Sequence, residues 1–522
     1  MDEENDEGNI EYKYLLEPVS PEKAQKLVTQ LRYRLDEGHG EAFYVLGLMD
    51  DGRPIGLSHE KMEKSISNLR MLAQEAGASC RIIKMAKGQH GEIAEIYLRY
   101  IKGFLPIELT IALLGNVDAG KSTLKGVLVT GRLDDGNGGA MASVARYIHE
   151  IKMRRTSAIS THILGFDEEG DCINEYIQPY NEAEIYLKSS KIISLVDLAG
   201  HDKYLKTTLR GIMGSVPDYV ILVASLNGGP VGSFREHLGL AIALKVPVIL
   251  VLTKVDTAPR EVADRNYREI MRLLKMPGID KIPFQINDDI DASLAAKNMS
   301  SGRVTPVFFV SNKNGYGLQD LKFFLNLLPK RRDWASLAQL PFMMYVDEVF
   351  DVTGVGTVVS GLVEAGAMLV GEEMMVGPDT TGNFVTFRVI SVHKNRMPID
   401  RAVAGQYITL GMGRIKRDVI RRGMVIVRST TVVKPVYLFK SEVKILHHPT
   451  MISVGYEPVI QFRTVKEVVK VVDAAPPILR SGDTGYITFK LKYAPAVINV
   501  GDTFVFREGS ARGLGLVSQI IN

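Results

Sequence analysis

One octapeptide of the chain combines glycine, lysine and a hydroxyl residue at a spacing that suits phosphate binding. It reads Gly115-Asn116-Val117-Asp118-Ala119-Gly120-Lys121-Ser122 and fits the pattern Gly-x-x-x-x-Gly-Lys-Ser/Thr. A strand-like apolar run (109–114) precedes it, and a helix-compatible run that begins at Thr123 follows. Backbone N–H groups would surround a β-phosphate, Lys121 would reach the β and γ oxygens, and Ser122 would ligate Mg²⁺. The pattern predicts a nucleotide phosphate site from Gly115 to Thr123.

Asp197 follows a second apolar run (192–196) and begins Asp197-Leu198-Ala199-Gly200-His201. A carboxylate at the end of a buried strand lies where a phosphate-bound Mg²⁺ needs an acidic partner. Gly200 has no side chain, so its N–H can approach a γ-phosphate. Taken alone, the segment fits an ordinary strand-ending turn equally well. Beside the phosphate loop, it predicts contacts to magnesium and the γ-phosphate.

Two further strand ends carry residues that suit recognition of a base. Thr253-Lys254-Val255-Asp256 ends the apolar run 248–252. A carboxylate at Asp256 can accept from N1–H and the 2-amino group of guanine, a donor pair that adenine lacks. The motif therefore favours GTP over ATP. Asparagine is commoner at the first position, and Thr253 keeps a hydroxyl without the amide. Ser311-Asn312-Lys313 follows another buried run and supplies a loop expected to pack on the base.

In addition to Lys121, two residues are candidates for a catalytic role. Thr156 lies between the phosphate loop and Asp197, where a threonine can close on Mg²⁺ and the γ-phosphate while GTP is bound. Thr161 is the rival, and an exposed threonine in a polar loop is the simpler alternative. His201 is expected to orient the attacking water, against the alternative of a surface histidine beside the site.

The elements that must position these residues fall into four predicted domains. Residues 1–104 are predicted to form a small α/β module, with helices at 21–37 and 60–76 and strands at 10–19, 42–48, 53–57, 81–85 and 93–101. Asp51-Gly52 predicts a hairpin between the second and third strands. The first six of these elements follow the order β-α-β-β-α-β, which indicates a ferredoxin-like fold.

From 105 to 334, apolar runs of strand length alternate with helical stretches. The expected strands are 109–114, 192–197, 219–224, 248–253 and 307–310, and 259–275 is expected to be a helix. This alternation is typical of a P-loop α/β domain with a parallel sheet buried on both faces. Short alternating strands with Gly and Pro turns then fill 338–432 and 433–522, with Lys434-Pro435 between them. They predict two antiparallel β-barrels.

Composition limits the class of protein. The chain has 522 residues, too many for one core, with 46% hydrophobic residues, 24% charged residues and a net charge of +3. Its two cysteines, Cys80 and Cys172, are far apart in sequence, which argues against a disulfide framework or a zinc ribbon. The acidic N-terminus is unlike a signal peptide, and the apolar runs are too short to span a bilayer. We therefore expect a cytoplasmic protein without membrane contact.

These motifs resemble translational GTPases of the elongation factor Tu and 1-alpha type. The resemblance includes Asp118 within the phosphate loop, Asp-x-x-Gly-His, and Arg235-Glu236-His237-Leu238. The segments 349–364 and 507–515 resemble parts of the second and third domains of these factors. Arg155-Thr156-Ser157 and Ile163-Leu164-Gly165-Phe166-Asp167 are most similar to the GTP-binding protein 1 and 2 group.

The resemblance implies roles for individual residues. Nucleotide and Mg²⁺ roles fall to Lys121, Ser122, Thr156, Asp197, Gly200 and Asp256. His201 takes the catalytic histidine position, and Asp118 matches a position associated with a monovalent cation near the phosphates. Arg155 departs from the family, which has an apolar residue there facing Val117. Arg155 either reaches phosphate or lies in solvent.

The resemblance implies a GTP-hydrolysing switch that uses GTP, GDP and Mg²⁺, binds aminoacyl-tRNA or another RNA, and acts at the ribosome as a monomer. The alternative is a GTP-gated adaptor for RNA decay or ribosome quality control, with the N-terminal module as its partner surface. Basic residues that would contact RNA are found in both predicted barrels: Lys394, Arg396, Arg414, Lys416, Arg417, Arg421, Arg422, Lys490, Lys492, Arg507 and Arg512.

Overall fold

The computed structural model describes residues 8–18, 20–49, 51–101, 106–145, 159–198, 211–276, 278–413, 415–509 and 511–521. The chain divides into two units, one mainly before Asp333 and one mainly from Asp333 onwards. No helix within these ranges is both long enough and apolar enough to cross a membrane.

The first unit begins with a four-stranded sheet and two helices. The helices are α1 (Pro21–Glu37) and α2 (His59–Ala76), and the strands are β1 (Ile10–Lys13), β2 (Glu41–Leu46), β3 (Ala78–Lys87) and β4 (Glu92–Tyr100). The α1 helix begins where the Ser20 hydroxyl accepts a hydrogen bond from the N–H of Lys23, with Pro21 in the first turn. The α2 helix ends at Gly77, whose φ of 82° suits glycine.

The predicted ferredoxin-like order of this module is wrong. The observed order is β-α-β-α-β-β, and the sheet order is β1-β2-β4-β3, with β1 parallel to β2. Residues 53–57 form no strand, and only Leu57 makes an isolated bridge, to Glu92. Pro54 lacks an N–H for a strand ladder, and Gly56 has a positive φ of 84°. These two residues prevent the hairpin that Asp51-Gly52 predicts.

The rest of the first unit is a seven-stranded sheet with helices. Its strands are β5 (Ile107–Gly115), β6 (Ser160–Phe166), β7 (Lys191–Asp197), β8 (Tyr219–Ser225), β9 (Val248–Thr253), β10 (Ile282–Gln285) and β11 (Val304–Phe309). Its α-helices include α3 (Lys121–Thr130), α4 (Gly139–Ala142), α5 (Glu182–Lys188), α6 (Phe234–Ala243), α7 (Arg260–Leu274), α8 (Asp289–Asn298) and α9 (Leu318–Leu327). The order β10-β11-β9-β8-β5-β7-β6 is parallel except for the edge strand β6.

The five strands predicted for this sheet are confirmed, but β6 and β10 were not predicted. The β6 strand opens with the polar residues Ser160, Thr161 and His162, and β10 has only four residues with Pro283 in second place. Both lie at sheet edges, where the buried apolar run that identifies a central strand is not required.

The four-stranded sheet is covered on both faces. On one face, α1 and α2 contribute Leu31 and Leu69 to a core shared with the strands. On the other, Phe43 and Tyr97 join the core of the seven-stranded sheet, which includes Phe324 of α9. The N-terminal module is therefore part of the same packed unit as the nucleotide domain.

A buried charge cluster lies at this junction and consists of Glu41, Tyr97, Arg99, Lys191 and Asn326. The Lys191 ammonium donates to both Glu41 oxygens, at 2.9 and 3.0 Å, and Arg99 Nη2 donates to Glu41 Oε1 at 3.0 Å and Asn326 Oδ1 at 2.6 Å. The Tyr97 hydroxyl also donates to Glu41. Burial alone would raise the pKa of Glu41, but Lys191 and Arg99 hold it below its ordinary value.

The second unit consists of short strands that follow α10 (Trp334–Leu337). The first group is β12 (Met343–Tyr345), β13 (Glu348–Val352), β14 (Gly356–Ala365), β15 (Ala367–Leu369), β16 (Glu373–Gly377), β17 (Val385–Arg388), β18 (Ser391–Lys394), β19 (Met397–Pro398), β20 (Arg401–Val403), β21 (Tyr407–Gly411) and β22 (Val425–Arg428). The second group is β23 (Leu438–His447), β24 (Val459–Phe462), β25 (Val465–Ala475), β26 (Thr484–Leu491), β27 (Thr503–Glu508) and β28 (Ala511–Ile520).

One of the two predicted barrels is confirmed. The strands β23-β26-β25-β24-β27-β28 form a closed barrel. Among the described residues, the first group instead forms a nine-stranded sheet that ends at β17 and β19, with β15 and β20 pairing separately. The two-residue strand β19 contains Pro398, which cannot donate to a further ladder. The second predicted barrel is therefore not confirmed as a closed ring of strands among the described residues, although its sheet encloses its own core.

Candidate functional site

The carboxyl ends of five parallel strands meet at one edge of the seven-stranded sheet. The strands β5, β7, β8, β9 and β11 are parallel neighbours, so the loops that follow them lie side by side. The phosphate loop follows β5, which lies between β7 and β8. All the predicted nucleotide motifs that fall in described residues follow one of these strands.

The phosphate loop has a backbone shape that few side chains allow. A Cβ at Gly115, where φ is 140°, would overlap the carbonyl oxygen of Val223. Asp118 has a φ of 59°, and Gly120, with a φ of 87°, precedes the first residue of α3. Lys121 begins α3, and its ammonium donates to the carbonyl oxygen of Asn116 at 2.7 Å. The loop curls around its own lysine and presents the N-terminus of α3.

A pocket of about 300 Å³ lies beside this loop. Its lining consists of residues 116–119 of the loop, Lys254, and Ser225, Asn227, Gly228, Gly229 and Val231. Burial lowers the pKa of Lys121 to about 8, although the nearby Asp197 and Asp118 carboxylates act in the opposite direction. The charge of Lys121 is thus poorly solvated by water. Phosphate oxygens within reach of its ammonium would stabilise that charge.

The motifs predicted to read the base contact the phosphate loop directly. The Thr253 hydroxyl donates to the carbonyl oxygen of Ala119 at 2.7 Å, so the residue that replaces the commoner asparagine fastens β9 to the loop. A Cβ at Gly120 would lie 3.5 Å from Thr253 Oγ1 and 3.6 Å from Asn312 Nδ2. Asp256 is exposed in the turn after β9, where a guanine could reach it.

The loop after β11 is held by its own serine. The Ser311 hydroxyl accepts from the N–H groups of Lys313 at 3.3 Å and Asn314 at 3.2 Å. The carbonyl oxygen of Asn312 accepts from the N–H of Asp134 at 2.8 Å. The predicted base loop is therefore fixed on both sides and adjoins the phosphate loop.

The oxygen donors predicted for Mg²⁺ fit that ion. Ser122 lies in the first turn of α3, and Asp197 is a fully buried carboxylate at the end of β7. Across the described ranges, no group of three His, Cys, Asp or Glu side chains could hold a metal by itself. Mg²⁺ usually takes only one or two protein ligands and completes its shell with water and phosphate oxygens. A hydroxyl and a carboxylate beside a phosphate loop match that requirement.

Four residues that the sequence suggested for the nucleotide site lie outside the described residues. They are Thr156, Gly200, His201 and Arg155, so the roles predicted for them stay predictions. Thr161, the rival of Thr156, is an exposed residue of β6 opposite Val196.

His237 contacts the phosphate loop but was not assigned a role from the sequence. The N–H of Gly115 donates to His237 Nδ1 at 3.1 Å. Burial, together with the charge of Lys121, lowers the pKa of His237 to about 3. The imidazole is therefore neutral at physiological pH, and Nδ1 is an acceptor. Its place in Arg235-Glu236-His237-Leu238 was the only available signal.

We expect His237 to make the protein less stable as the pH falls. An unfolded histidine titrates near its ordinary pKa of 6.5, whereas the folded one resists protonation down to about pH 3. Its contribution is complete above pH 6.5 and decreases by about 1.4 kcal/mol per pH unit below it. Thermal unfolding from pH 7.5 to 5 should show this slope, and His237→Gln should flatten it. An equal slope in both proteins would contradict the assignment.

The chain matches two family models and curated relatives. The family model described as Elongation factor Tu GTP binding domain matches residues 108–351, and the one described as Elongation factor Tu domain 2 matches residues 356–427. The chain is 38% identical to GTP-binding protein 1 of Xenopus laevis over 99% of this chain and 80% of that protein. It is also 38% identical to GTP-binding protein 2 of Mus musculus, over 99% and 88%.

Solved structures share the fold at lower identity. A bacterial selenocysteine-specific elongation factor, EF-Sec, superposes with a TM-score of 0.57 at 22% identity, over 78% of this chain and 58% of that chain. Translation elongation factor SelB of Methanococcus maripaludis, in complex with the GTP analogue GppNHp, gives a TM-score of 0.56 at 18% identity, over 80% of both chains. The nucleotide motifs lie together at the carboxyl ends of the parallel strands, and the relatives match nearly the whole length of the chain. The chain therefore belongs to the GTP-binding protein 1 and 2 family of elongation factor Tu-type GTPases.

Proposed function

We propose that this GTPase is a cytoplasmic carrier that binds aminoacyl-tRNA or a related RNA in its GTP form and releases it at the ribosome. The nucleotide part of the proposal rests on the site residues. Lys121 and the N-terminus of α3 would bind the β and γ phosphates, and Asp256 would select guanine. Mg²⁺ held by Ser122 and Asp197 would neutralise charge on those phosphates.

A set of basic residues on the closed barrel carries the RNA part of the proposal. Lys470 of β25 and Lys490 of β26 are direct register partners, and both side chains are exposed. On the adjoining strand β23, the Lys440 ammonium lies 5.5 Å from the centre of the Tyr486 ring. We call Lys440, Lys470, Lys490 and Tyr486 the barrel lysine patch. Like charges opposite each other on paired strands destabilise a sheet, so this arrangement favours an anionic partner such as an RNA backbone.

Several basic residues that the sequence suggested for RNA already have partners within the protein. Arg421 Nη1 lies 2.6 Å from Glu467 Oε1, Arg422 Nη2 lies 2.7 Å from Asp347 Oδ1, and Lys492 lies 2.6 Å from Glu457. Arg414 lies outside the described residues. The barrel lysine patch is thus the better supported contact surface for RNA. We assign the three ion pairs a role in stabilising the fold.

Charge reversal of the patch tests the RNA contact. For Lys470→Glu with Lys490→Glu, we expect at least about tenfold weaker binding of aminoacyl-tRNA to the GTP-analogue form, and a salt slope smaller by about two. Lys23→Glu with Lys26→Glu makes the same charge change on the exposed face of α1 and should leave binding nearly unchanged. Equal affinities for the two double variants would remove the patch from the RNA surface.

The carrier function has its own test. In the GTP-analogue form, the protein should protect the ester of aminoacyl-tRNA from hydrolysis, and ribosomes should raise its GTPase rate. If neither effect occurs, the carrier proposal fails and the GTP-gated adaptor becomes the better hypothesis. That hypothesis takes the N-terminal module as the partner surface, but both faces of the four-stranded sheet in this module are already covered.

A further inference from the structure

The helix that begins at the phosphate loop, α3, carries a second buried lysine. Lys125 follows Lys121 by four residues, so both point from the same face of the helix. Only 1% of the Lys125 side chain is exposed. A buried ammonium is costly unless charges and hydrogen bonds compensate it. None of the nucleotide roles described above uses this residue.

The contacts of Lys125 join three parts of the site. Its ammonium donates to Ser160 Oγ at 2.6 Å and lies 3.5 Å from Asp197 Oδ2. Ser160 is the first residue of β6 and the register partner of Asp197 at the end of β7. The ammonium therefore links α3 to the end of β7, where Asp197 lies, and to the start of the neighbouring strand β6.

We propose that Lys125 is a positioning residue that holds the Asp197 carboxylate before magnesium arrives and lowers the affinity of the nucleotide-bound site for Mg²⁺. This inference rests on the magnesium role proposed for Asp197 and Ser122. A fixed positive charge close to Asp197 repels the divalent ion. It also offsets part of the negative charge of the carboxylate that would attract that ion. The same charge stabilises Asp197 while no metal is bound, because a buried carboxylate without a counter-charge is destabilising.

Magnesium-dependent release of a fluorescent GDP tests the inference. We expect GDP release to slow as free Mg²⁺ is raised, so that the midpoint of the titration measures affinity for the ion. In Lys125→Met, the midpoint should move to at least about tenfold lower Mg²⁺. Its melting temperature should fall in chelator and recover more than that of the wild type when Mg²⁺ is added. Lys125→Gln, whose amide can still donate to Ser160, should show the same midpoint shift if the methionine variant fails to fold.

Two further variants separate this role from a purely structural one. Lys125→Arg keeps the charge and should keep the midpoint within about threefold of the wild type. Lys322→Met removes another buried lysine of the same unit, which pairs with Glu175, and should lower the melting temperature without moving the midpoint.

A midpoint for Lys125→Met and Lys125→Gln within about twofold of the wild type would overturn the proposal. It would mean that Lys125 makes a structural contact without influencing the affinity for Mg²⁺. If GDP release from the wild type does not respond to Mg²⁺ at all, the magnesium site itself is wrong, and that result is distinct from a failure of the Lys125 role.

Discussion

Replacing Glu41 with alanine should lower the free energy of unfolding of the first unit by about 3–5 kcal/mol. Glu41 supplies the carboxylate of the buried charge cluster, and the side chains of Arg99 and Lys191 facing it are 1% and 0% exposed. Burial lowers the pKa of Lys191 to about 8 even with Glu41 present. Without the carboxylate, two cations would remain close together in a dry environment. One truncation would therefore leave more charge uncompensated than an ordinary ion-pair deletion does.

Calorimetry or hydrogen exchange on the full chain can measure this effect. The unfolding transition of the first unit should move down by roughly 5–10 °C. Glu184→Ala is the matched control, because it removes an exposed carboxylate that pairs with Lys188 four residues later, and it should shift the transition by about 1 °C or less. Exchanging Glu41 and Lys191 together for methionine should cost less than Glu41→Ala alone, since it removes charges of both signs. If Glu41→Ala and Glu184→Ala have similar effects, the cluster does not stabilise the junction.

Replacing Asp256 with asparagine should weaken GTP binding at least about a hundredfold and create affinity for xanthosine triphosphate. The carboxylate is expected to accept two hydrogen bonds from guanine, and bonds to a charged acceptor contribute about 1.5–3 kcal/mol each. The amide of asparagine presents a donor on one side, which opposes the guanine donors and suits the 2-oxo group of xanthine. Asp256 lies in an exposed turn, so the fold should tolerate the change.

Competition between the two nucleotides measures the exchange of specificity. Asp264→Asn, an exposed substitution on α7 of the same type, is the control and should bind GTP like the wild type. An unchanged GTP affinity in Asp256→Asn would remove Asp256 from the base site. A loss of GTP affinity without a gain for the xanthine nucleotide, with unfolding unchanged, would leave Asp256 at the site but contradict the hydrogen-bond pattern.

Motifs that depend on local sequence could be predicted, while contacts between distant segments could not. The phosphate loop is local: a buried strand, a glycine-rich turn and a lysine at a helix start occur within sixteen residues of one another, and the structure places them as expected. The same holds for the strand that ends at Thr253. That Thr253 bonds the carbonyl oxygen of Ala119 depends on two segments over a hundred residues apart. No pattern in either segment indicates that bond.

The errors have the same origin. Asp51-Gly52 is a good turn signal, but Pro54 and Gly56 decide against the second strand of the hairpin. Alternating apolar residues predict the strands of the second unit, but closure of a sheet depends on which edges meet. Among the described strands, only β23 to β28 close. The contact between Lys125 and Ser160 could not be predicted either. The spacing from Lys121 places Lys125 on a known helix face, but Ser160 lies on the edge strand β6, which its polar sequence does not identify as a strand.

The strand pair β6 and β7 spans the first unit from the nucleotide edge to the N-terminal module. Lys191 begins β7 within the buried charge cluster, and the strand ends at Asp197. At the far end of β6, the Arg99 guanidinium donates to the carbonyl oxygen of Asp167 and Ser79 donates to that of Glu168. A truncated protein that starts at the phosphate-loop strand would thus lose the partners of both strands and expose their apolar neighbours. Inactivity of such a fragment would report misfolding, so genetic dissection of the first hundred residues calls for point substitutions on the exposed helical surfaces of α1 and α2.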